Sequence, residues 1–272
     1  CLSHPACWNP VKQYTAIAII PSRFASARLP GKPLLDIAGK PMVVRVCECA
    51  ASAQTIDRVI VATDDERIAD AVIAEGFEAV MTSARHETGT DRLAEAAATL
   101  DADFIVNVQG DEPLLPASTI DAAVQALVAD SSAVCSTTCE AIEKLDDFRN
   151  PNVVKVVLRD DGRALYFSRA AIPYPRDAAT VDGVLCAEDI DLSVVRRHTG
   201  LYVFRRAFLL EFARMSPSPL ERIEKLEQLR ILERGYDIMV VEVHEPSFGI
   251  DTQDDLDHVR ALLEARSLVN PI

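Results

Sequence analysis

The sequence predicts an α/β fold in which a mostly parallel, Rossmann-like sheet carries helices on both faces. Two observations support this prediction. Short apolar runs, typical of buried strands, alternate with longer segments whose apolar residues recur about every 3.6 positions, as in amphipathic helices. The composition is that of an ordinary globular chain, because 49% of the 272 residues are hydrophobic and 26% are charged.

In the first half of the chain, strand and helix patterns alternate strictly, which indicates parallel strands joined by crossover helices. Strands are predicted at 15–20, 57–63, 77–81, 103–109 and 132–139. Helices are predicted at 41–53 with Pro41 in the first turn, from Asp64 or Asp65 to Gly76, at 90–100 and at 118–130.

The second half begins with an antiparallel pattern. The remaining predicted elements are a hairpin of 153–158 with 164–169, a Pro- and Asp-rich loop at 173–191, a strand that runs into a helix at 198–215, a helix at 218–235 capped by Ser218, a strand at 236–243 and a closing helix at 254–268. We expect residues 15–272 to form one domain with an inserted antiparallel subregion at about 153–205. Residues 1–14 show no periodicity and are expected to be a disordered extension or a cloning artefact.

The formal charge of the chain is −14, since 28 basic residues face 42 acidic ones. This charge disfavours nucleic-acid binding and anionic-membrane binding, although one small anion could still bind in a local positive pocket. No apolar run approaches the roughly 18 residues that cross a bilayer, and no secretory signal is visible. The seven cysteines are odd in number and form no CxxC pair, so we expect free thiols and a cytoplasmic protein.

The loop 21–34, PSRFASARLPGKPL, is basic although the whole chain is acidic. It contains Arg23, Arg28 and Lys32 and no acid, and such side chains suit phosphate oxygens. It lies between the first strand and the first helix, where phosphate sites are common. A solvated basic loop is the alternative. The GxxxxGK[ST] and GxGxxG patterns are absent, which disfavours P-loop NTPases and Rossmann dinucleotide-binding proteins.

Two acidic residues follow predicted strands and could share a metal ion. Asp111 lies in NVQGDEP and Asp251 in FGIDTQDDL. Carboxylates at the carboxyl ends of strands could hold one Mg²⁺, which commonly bridges to substrate phosphates. Alternatively, Asp111 is a turn residue and Asp251 caps the last helix. Together with the cationic loop, the pair favours metal-assisted phosphoryl transfer.

Several longer segments carry a resemblance to a known family. They are PSRFASARLPGKPL, TSARHETGTDRLAE, NVQGDEP, NPNVVKVVL, ALYFSRAAIP, SPLERIEKLEQLR and GIDTQDDL, in this order over about 15–268. The chain thereby resembles the 3-deoxy-manno-octulosonate cytidylyltransferases, or CMP-Kdo synthetases, of lipopolysaccharide biosynthesis. Sugar-1-phosphate nucleotidyltransferases share a related first loop, but their GxGTRL-type pattern is absent here. The resemblance implies a nucleotide-diphospho-sugar-transferase fold, a homodimer formed largely through the inserted subregion, and CTP and 3-deoxy-D-manno-octulosonate (Kdo) as substrates.

The resemblance also implies roles for individual residues. The triphosphate of CTP would contact Arg23, Arg28 and Lys32. Cytosine and ribose would face the backbone near Ser22 and the loop 82–92, with Arg85 as a candidate. Further residues are implied in the sugar-acid pocket, and these are Gln109, Arg169, His198, Tyr202, Glu227 and Gln228, of which Gln109 would also contact CTP.

The sequence departs from the family pattern at two positions, where Ser22 replaces the usual Ala and Ala27 the common Thr or Ser. The implied Mg²⁺ ligands are Asp111 and Asp251, which together with Arg28 and Lys32 form the expected catalytic set. Among the pocket residues, Arg169 and His198 are the candidates for binding the carboxylate of Kdo.

The expected reaction is attack by the anomeric hydroxyl of Kdo on the α-phosphorus of CTP, which releases pyrophosphate. Three alternatives stay open at this stage. The acceptor could be another sugar acid, such as amino-Kdo or a sialic acid. The chain could be a glycosyltransferase, although QGDEP is not a DxD motif, or a non-catalytic nucleotide-binding regulator.

Overall fold

The computed structural model describes residues 12–25, 29–86, 88–176, 180–181, 184–185 and 191–269. Within these residues the fold is α/β, with helices packed on both faces of one nine-stranded sheet. The mostly parallel sheet predicted from the sequence is confirmed.

The strands agree with the predicted ones to within a few residues, and short two-residue strands are added. They are β1 (Ala16–Ser22), β2 (Asp36–Ile37), β3 (Lys40–Pro41), β4 (Arg58–Thr63), β5 (Glu78–Met81), β6 (Phe104–Asn107), β7 (Cys135–Ala141), β8 (Lys155–Leu158), β9 (Ala164–Ser168), β10 (Thr180–Val181), β11 (Val184–Leu185), β12 (Arg196–Arg205) and β13 (Ile238–Glu242).

The helices also follow the predicted pattern, except that the helix Leu145–Arg149 was not predicted and that the segment 218–235 differs as described below. They are α1 (Met42–Ala51), α2 (Glu66–Ala74), α3 (Gly89–Ala98), α4 (Ala117–Ala129), α5 (Leu145–Arg149), α6 (Arg206–Phe212), α7 (Pro219–Glu224), α8 (Gln228–Glu233) and α9 (Gln253–Val269). Asp65 caps α2 and Gly76 follows it with φ 84°, as the sequence predicts. Pro41 is the N-cap of α1 and therefore lies just outside the helix.

The strand order of the main sheet is β13-β7-β12-β6-β1-β4-β5. β1 pairs in parallel with β4 and β6, while β12 runs antiparallel between β6 and β7. The predicted hairpin is present, because β8 pairs antiparallel with β9 and extends from β12. The predicted insertion at 153–205 thus contains a strand of the central sheet, and the predicted division into domains stays a prediction.

The sheet separates two apolar layers. One layer packs α1, α2 and α4 on one face, and the other packs α3, α6 and α8 on the opposite face. Alternate residues of β1 enter opposite layers, so that Ile17 and Ile19 face α3 while Ala18 and Ile20 face α1. Each fully buried isoleucine contributes about 2 kcal/mol. The core therefore holds the carboxyl ends of the central strands in fixed positions.

The single helix predicted at 218–235 is wrong, because the chain forms α7 and α8 with a break at Lys225, whose φ is 56°. Apolar residues in this segment recur every three positions, and such a row drifts around a 3.6-residue helix. Ile223 belongs to the row and is 78% exposed. The break resets the phase, so that Leu226 and Leu229 reach the core. Ser218 does cap α7, through a capping box with Glu221.

Among the described residues, no helix has the length and apolar character needed to cross a membrane.

Candidate active site

The first part of the site is a small cavity at the carboxyl ends of β1 and β6, which we call the loop cavity. Its volume is about 140 Å³. The residues that line it are Pro21, Ser22, Arg23, Lys32, Pro33, Gln109, Gly110 and Asp111. Its position agrees with the rule that ligands of open α/β sheets bind beyond the carboxyl ends of the strands.

Lys32 contacts both acids that the sequence analysis predicts as metal ligands. Its Nζ lies 2.7 Å from Oδ2 of Asp111 and 3.3 Å from Oδ1 of Asp251. The Ile250 amide also donates to the Asp111 carbonyl at 2.9 Å, which fixes the last loop against the QGDEP loop. The fold therefore brings together three predicted residues that are up to 219 positions apart in the chain.

Asp251 does not act as the helix cap that was its alternative role. The carboxylate of Asp255 accepts hydrogen bonds from the amides of Asp251 and Thr252 and from the Thr252 hydroxyl, at 2.8–3.0 Å. The amide of Asp251 is the largest cause that lowers the pKa of Asp255. The Asp255 amide donates in turn to the Thr252 hydroxyl at 3.2 Å, so Thr252 and Asp255 together cap the start of α9, while the Asp251 carboxylate contacts Lys32.

The donor set fits a hard divalent cation that takes its other ligands from substrate and water. Asp111 and Asp251 supply carboxylate oxygens that converge on a single positive group, Lys32. Within the described residues, no group of three or more His, Cys, Asp and Glu side chains forms a metal site. Mg²⁺ is commonly held by one or two carboxylates with substrate phosphates and water, so the pair is sufficient.

Gly110 allows the QGDEP loop to approach the end of β1. A Cβ at this position would lie 3.1 Å from both the Pro21 carbonyl oxygen and the Ser22 hydroxyl. The Ser22 hydroxyl is buried and has no hydrogen-bond partner in the described part of the chain. A side chain at 110 would therefore require these neighbours to move by a few tenths of an ångström.

Glu112 follows the candidate metal ligand and is unusually basic for a carboxylate. Burial, together with the neighbouring Asp111 carboxylate, raises the pKa of Glu112 to about 7. The Ser247 hydroxyl donates to Glu112 Oε2 at 3.2 Å. The QGDEP loop thus contains one acid directed to Lys32 and one that is partly protonated at neutral pH.

The other predicted cations are placed differently. The Arg23 guanidinium donates to the carbonyl oxygens of His86 and of Thr88, the latter at 3.2 Å, and so ties the first loop to the loop 82–92. Arg85 is exposed on that second loop. Arg28 and Ala27 lie outside the described residues.

A larger cavity, which we call the inner cavity, adjoins the loop cavity and shares Pro21 and Gln109 with it. Its volume is about 240 Å³. The residues that line it are Pro21, Gly89, Thr90, Asn107, Gln109, Tyr202, Phe204, Phe212, Lys225, Leu226, Glu227, Gln228 and Ile231. Four of the six predicted sugar-pocket residues line it, and these are Gln109, Tyr202, Glu227 and Gln228.

Gln109 stands between the two cavities and is fixed by β12. Its Nε2 donates to the Gly200 carbonyl at 3.0 Å, where the pairing of β12 with β7 shifts register. A Cβ on Gly200 would lie 3.1 Å from Gln109 Cγ, so only glycine fits there without displacing the side chain. Tyr202 follows two residues later and presents its ring to the inner cavity.

His198 lies behind the cavity rather than in its lining. Its ring packs between Phe167 and Tyr202, and its Nε2 lies 2.9 Å from the Thr137 hydroxyl. Thr137 donates its own proton to the Leu201 carbonyl, so Nε2 carries the hydrogen that bonds Thr137. Burial lowers the pKa of His198 to about 3. His198 is therefore a neutral group here and not a cation for a carboxylate.

The turn between α7 and α8 forms one wall of the inner cavity. Oε2 of Glu227 accepts a hydrogen bond of 2.6 Å from the Thr90 hydroxyl at the start of α3. Arg230 pairs with Glu221 and not with Glu227, although Glu227 is three residues away from it. This buried pair connects α7 with α8 and leaves Glu227 to face the cavity.

Arg169 is not among the lining residues of the inner cavity. Its Nε donates to the Glu224 carbonyl at 2.7 Å and its Nη1 to the Pro151 carbonyl at 3.1 Å. The Glu224 carboxylate accepts in turn from the Ser168 hydroxyl and the Arg169 amide. Arg169 thus anchors the chain one residue before Lys225, and its direct contact with a sugar acid stays a prediction.

Sequence reasoning missed three polar residues of the inner cavity, namely Asn107, Thr90 and Lys225. Asn107 had a signal in the sequence, because it is the one polar residue inside the apolar run FIVNV and shares a strand face with Gln109. Thr90 and Lys225 gave none, since each looks like an ordinary helix residue.

Comparisons with known proteins agree with this geometry. The family described as cytidylyltransferase matches residues 17–238. The 3-deoxy-manno-octulosonate cytidylyltransferase of Geobacter metallireducens is 56% identical over 250 residues, which are 89% of this chain and 95% of that protein. The enzyme of the same name from Neisseria gonorrhoeae is 51% identical over 252 residues, covering 91% and 98% of the two chains.

Solved structures give the same picture. A CMP:2-keto-3-deoxy-manno-octonic acid synthetase complexed with CTP superposes with a TM-score of 0.85 and 40% identity, over 93% of this chain and 99% of that one. A glucose-1-phosphate thymidylyltransferase from Bacillus anthracis, described as putative, shares the fold, with a TM-score of 0.60, 15% identity and coverage of 91% and 95%. The chain therefore belongs to the 3-deoxy-manno-octulosonate cytidylyltransferase family, and it is a nucleotidyltransferase.

Proposed function

We propose that this protein transfers CMP from CTP to the anomeric hydroxyl of Kdo and releases pyrophosphate, for lipopolysaccharide biosynthesis. Besides the family, one observation carries the proposal. A charged cavity suited to a triphosphate adjoins a largely neutral cavity suited to a sugar, and Gln109 lines both. A transferase that joins a nucleotide to a sugar needs two such subsites in contact, because the reacting atoms must meet at their boundary.

In the loop cavity, the main task of the chain is to bind and orient the triphosphate. The Lys32 ammonium has three N–H donors, and its two carboxylate partners leave one for a phosphate oxygen. Arg28 and Lys32 would offset the negative charge that builds on the leaving pyrophosphate. Arg23 holds the loop 82–92 at the cavity, and this loop, including Arg85, would border the cytosine and ribose.

Asp111 and Asp251 are the residues that would hold Mg²⁺. Bound there, the ion would supply positive charge that offsets the phosphates and lowers the pKa of the attacking hydroxyl. Both carboxylates contact the Lys32 ammonium in the structure, so they already converge on one positive charge, and this supports the assignment.

In the inner cavity, the chain positions the acceptor. Gln109, Tyr202, Glu227 and Gln228 would contact Kdo, while His198 supports the Tyr202 ring from behind. As the anomeric oxygen attacks the α-phosphorus, an oxygen–phosphorus bond forms, the bond to pyrophosphate breaks and the hydroxyl proton passes to solvent water. Because the pocket keeps the two substrates in contact, most of the rate enhancement comes from orientation and charge stabilisation.

The test is pyrophosphate release from CTP, UTP, ATP and GTP, each with and without Kdo, at varied Mg²⁺. We expect release with CTP and Kdo together and a requirement for the metal. If the enzyme prefers amino-Kdo or a sialic acid, the proposed acceptor is wrong but the proposed transfer of CMP from CTP stands. CTP binding without release from any sugar acid would favour a regulator.

We further propose that the protein is a homodimer that contacts its partner largely through the inserted subregion. Three apolar side chains of this subregion are well exposed, namely Leu165, Tyr174 and Val194, at 58–66%. Contiguous exposed apolar patches commonly mark an interface, and in a dimer of this kind we expect the partner to cover these side chains. Light scattering should give about twice the monomer mass, and L165E should lower that mass.

We also propose a cytoplasmic location. The described cysteines Cys47, Cys135 and Cys139 are free thiols, which suits a reducing compartment. Fractionation of cells that express the tagged protein tests this proposal.

A further inference from the structure

Asn107 is a polar residue in an apolar part of the sheet. It is the last residue of β6, where it pairs with Ile19 on one side and with Tyr202 on the other. Its side chain lies on the sheet face of Ile105, which packs in the apolar layer of α3, α6 and α8. Only 6% of Asn107 is exposed, yet it lines the inner cavity.

The carboxamide oxygen of Asn107 has no hydrogen-bond partner among the described residues. Leaving a buried acceptor unpaired costs about 1–3 kcal/mol, whereas an apolar side chain of the same shape has no such cost. Natural structures rarely leave such atoms unpaired without a functional reason. An amide at this point therefore indicates that a bound molecule supplies the missing donor.

The chemistry of the inner cavity indicates what this donor is. Phe204, Phe212 and Ile231 form an apolar surface, while the polar groups beside Asn107 are mostly neutral amides and hydroxyls. The Tyr202 hydroxyl also makes no hydrogen bond of acceptable geometry within the described chain. Apolar walls with neutral polar groups suit the C–H faces and hydroxyls of a carbohydrate.

We propose that Asn107 is a specificity-determining residue whose carboxamide oxygen accepts a hydrogen bond from a hydroxyl on the carbon chain of the sugar acid. This inference rests on the proposed function and adds to it a residue that recognises the acceptor sugar. A site built to bond a hydroxyl rejects an analogue without it, because the buried acceptor is then left unpaired. Rotation about χ2, which is broad for Asn, can turn the amide toward the ligand without moving the strand.

The first experiment compares the wild type with Asn107→Leu, which has a similar shape and no acceptor. We expect the KM for Kdo to rise by about 10-fold or more and the KM for CTP to stay within error, while the Tm is unchanged or rises because the unpaired buried acceptor is gone. Ser136→Ala is the matched control. Ser136 is equally buried in the sheet, but its hydroxyl donates to Ala123 on the opposite face. Equal losses for Kdo and CTP, or a marked fall in Tm, would mean a structural role and overturn the proposal.

The second experiment uses Kdo analogues that each lack one hydroxyl. For one of them, the wild type should lose about 10-fold in kcat/KM, and Asn107→Leu should show no further loss with that analogue. Additive losses for every analogue would refute the contact. If the Leu variant does not fold, Asn107→Ala serves in the same cycle. Absence of any pyrophosphate release by the wild type with Kdo would instead defeat the proposed function.

Discussion

The two adjoining cavities differ in how their polar groups are satisfied. In the loop cavity the charged side chains pair with one another, as Lys32 does with Asp111 and Asp251, although the buried Ser22 hydroxyl has no partner in the described chain. In the inner cavity most polar groups are neutral, and the buried Asn107 acceptor has no partner in the described chain. The loop cavity therefore suits a charged ligand, whereas the inner cavity suits recognition of the shape and hydroxyl groups of a ligand. Changes in the two cavities should consequently affect different kinetic constants.

The largest effect is expected in the loop cavity, from Asp111→Asn and Asp251→Asn. Each variant removes one of two carboxylates that would hold the metal, and we expect turnover to fall about 10³-fold with an unchanged fold. Pyrophosphate release at limiting Mg²⁺ measures the effect. The control is Asp237→Asn, because Asp237 lies just before β13 and its carboxylate accepts a hydrogen bond from Arg159. Near-normal turnover of both variants would defeat the metal assignment.

Lys32→Ala should distinguish the two cavities by substrate. The variant loses the ammonium that faces the triphosphate, so the KM for CTP should rise about 10- to 100-fold while the KM for Kdo changes little. Lys40→Ala removes an exposed ammonium that pairs with Glu48 and Glu75, and it should leave both constants unchanged. An effect confined to Kdo saturation would show that the loop is misassigned.

Glu112, the residue after Asp111 of the loop cavity, makes a pH-dependent contribution to stability. Because its pKa is raised to about 7, the folded state holds a proton that the unfolded state has lost above its ordinary pKa. The contribution of Glu112 to stability should therefore fall by about 1–3 kcal/mol as the pH rises from about 4.5 to 7 and then level off, whereas the lowered pKa of His198 acts in the opposite direction below about pH 6.5. Glu112→Gln should remove this part of the pH dependence in urea unfolding.

The exposed Glu245, which accepts from Ser118, provides the control variant Glu245→Gln. It should keep the wild-type pH dependence. An identical slope for Glu112→Gln and the wild type would mean that Glu112 is already ionised in the folded protein below pH 7.

The smallest effect is expected in the inner cavity from Thr90→Val. This change removes the 2.6 Å hydrogen bond to Glu227 but keeps the shape of the side chain. A freer Glu227 should raise the KM for Kdo about 5-fold and leave the KM for CTP unchanged. Thr99→Val at the end of the same helix is the control. A larger effect on CTP than on Kdo would contradict the separation of the two cavities.

The sequence was most informative where one residue type implies one chemistry or where periodicity is regular. Lys32, Asp111 and Asp251 are predicted because a basic loop and two strand-end acids together suit a metal ion and a phosphate, and the fold brings the three residues together. The prediction of one helix at 218–235 was wrong because the local pattern does not reveal two tertiary contacts that favour a break. These are the Arg230–Glu221 pair and the burial of Leu226. His198 was expected as a possible cation, but packing against Phe167 and Tyr202 keeps it neutral.

By itself, the sequence determined the order of strands and helices, the basic first loop and the two strand-end acids, because these depend on neighbours in the chain and on residue type. The tertiary structure alone decided which neutral side chains meet. Thr90 reaches Glu227 across 137 positions, and Asn107 lies opposite Tyr202 only because β12 inserts between β6 and β7. Such contacts arise from long-range strand pairing and packing, which leave no periodic trace in the sequence.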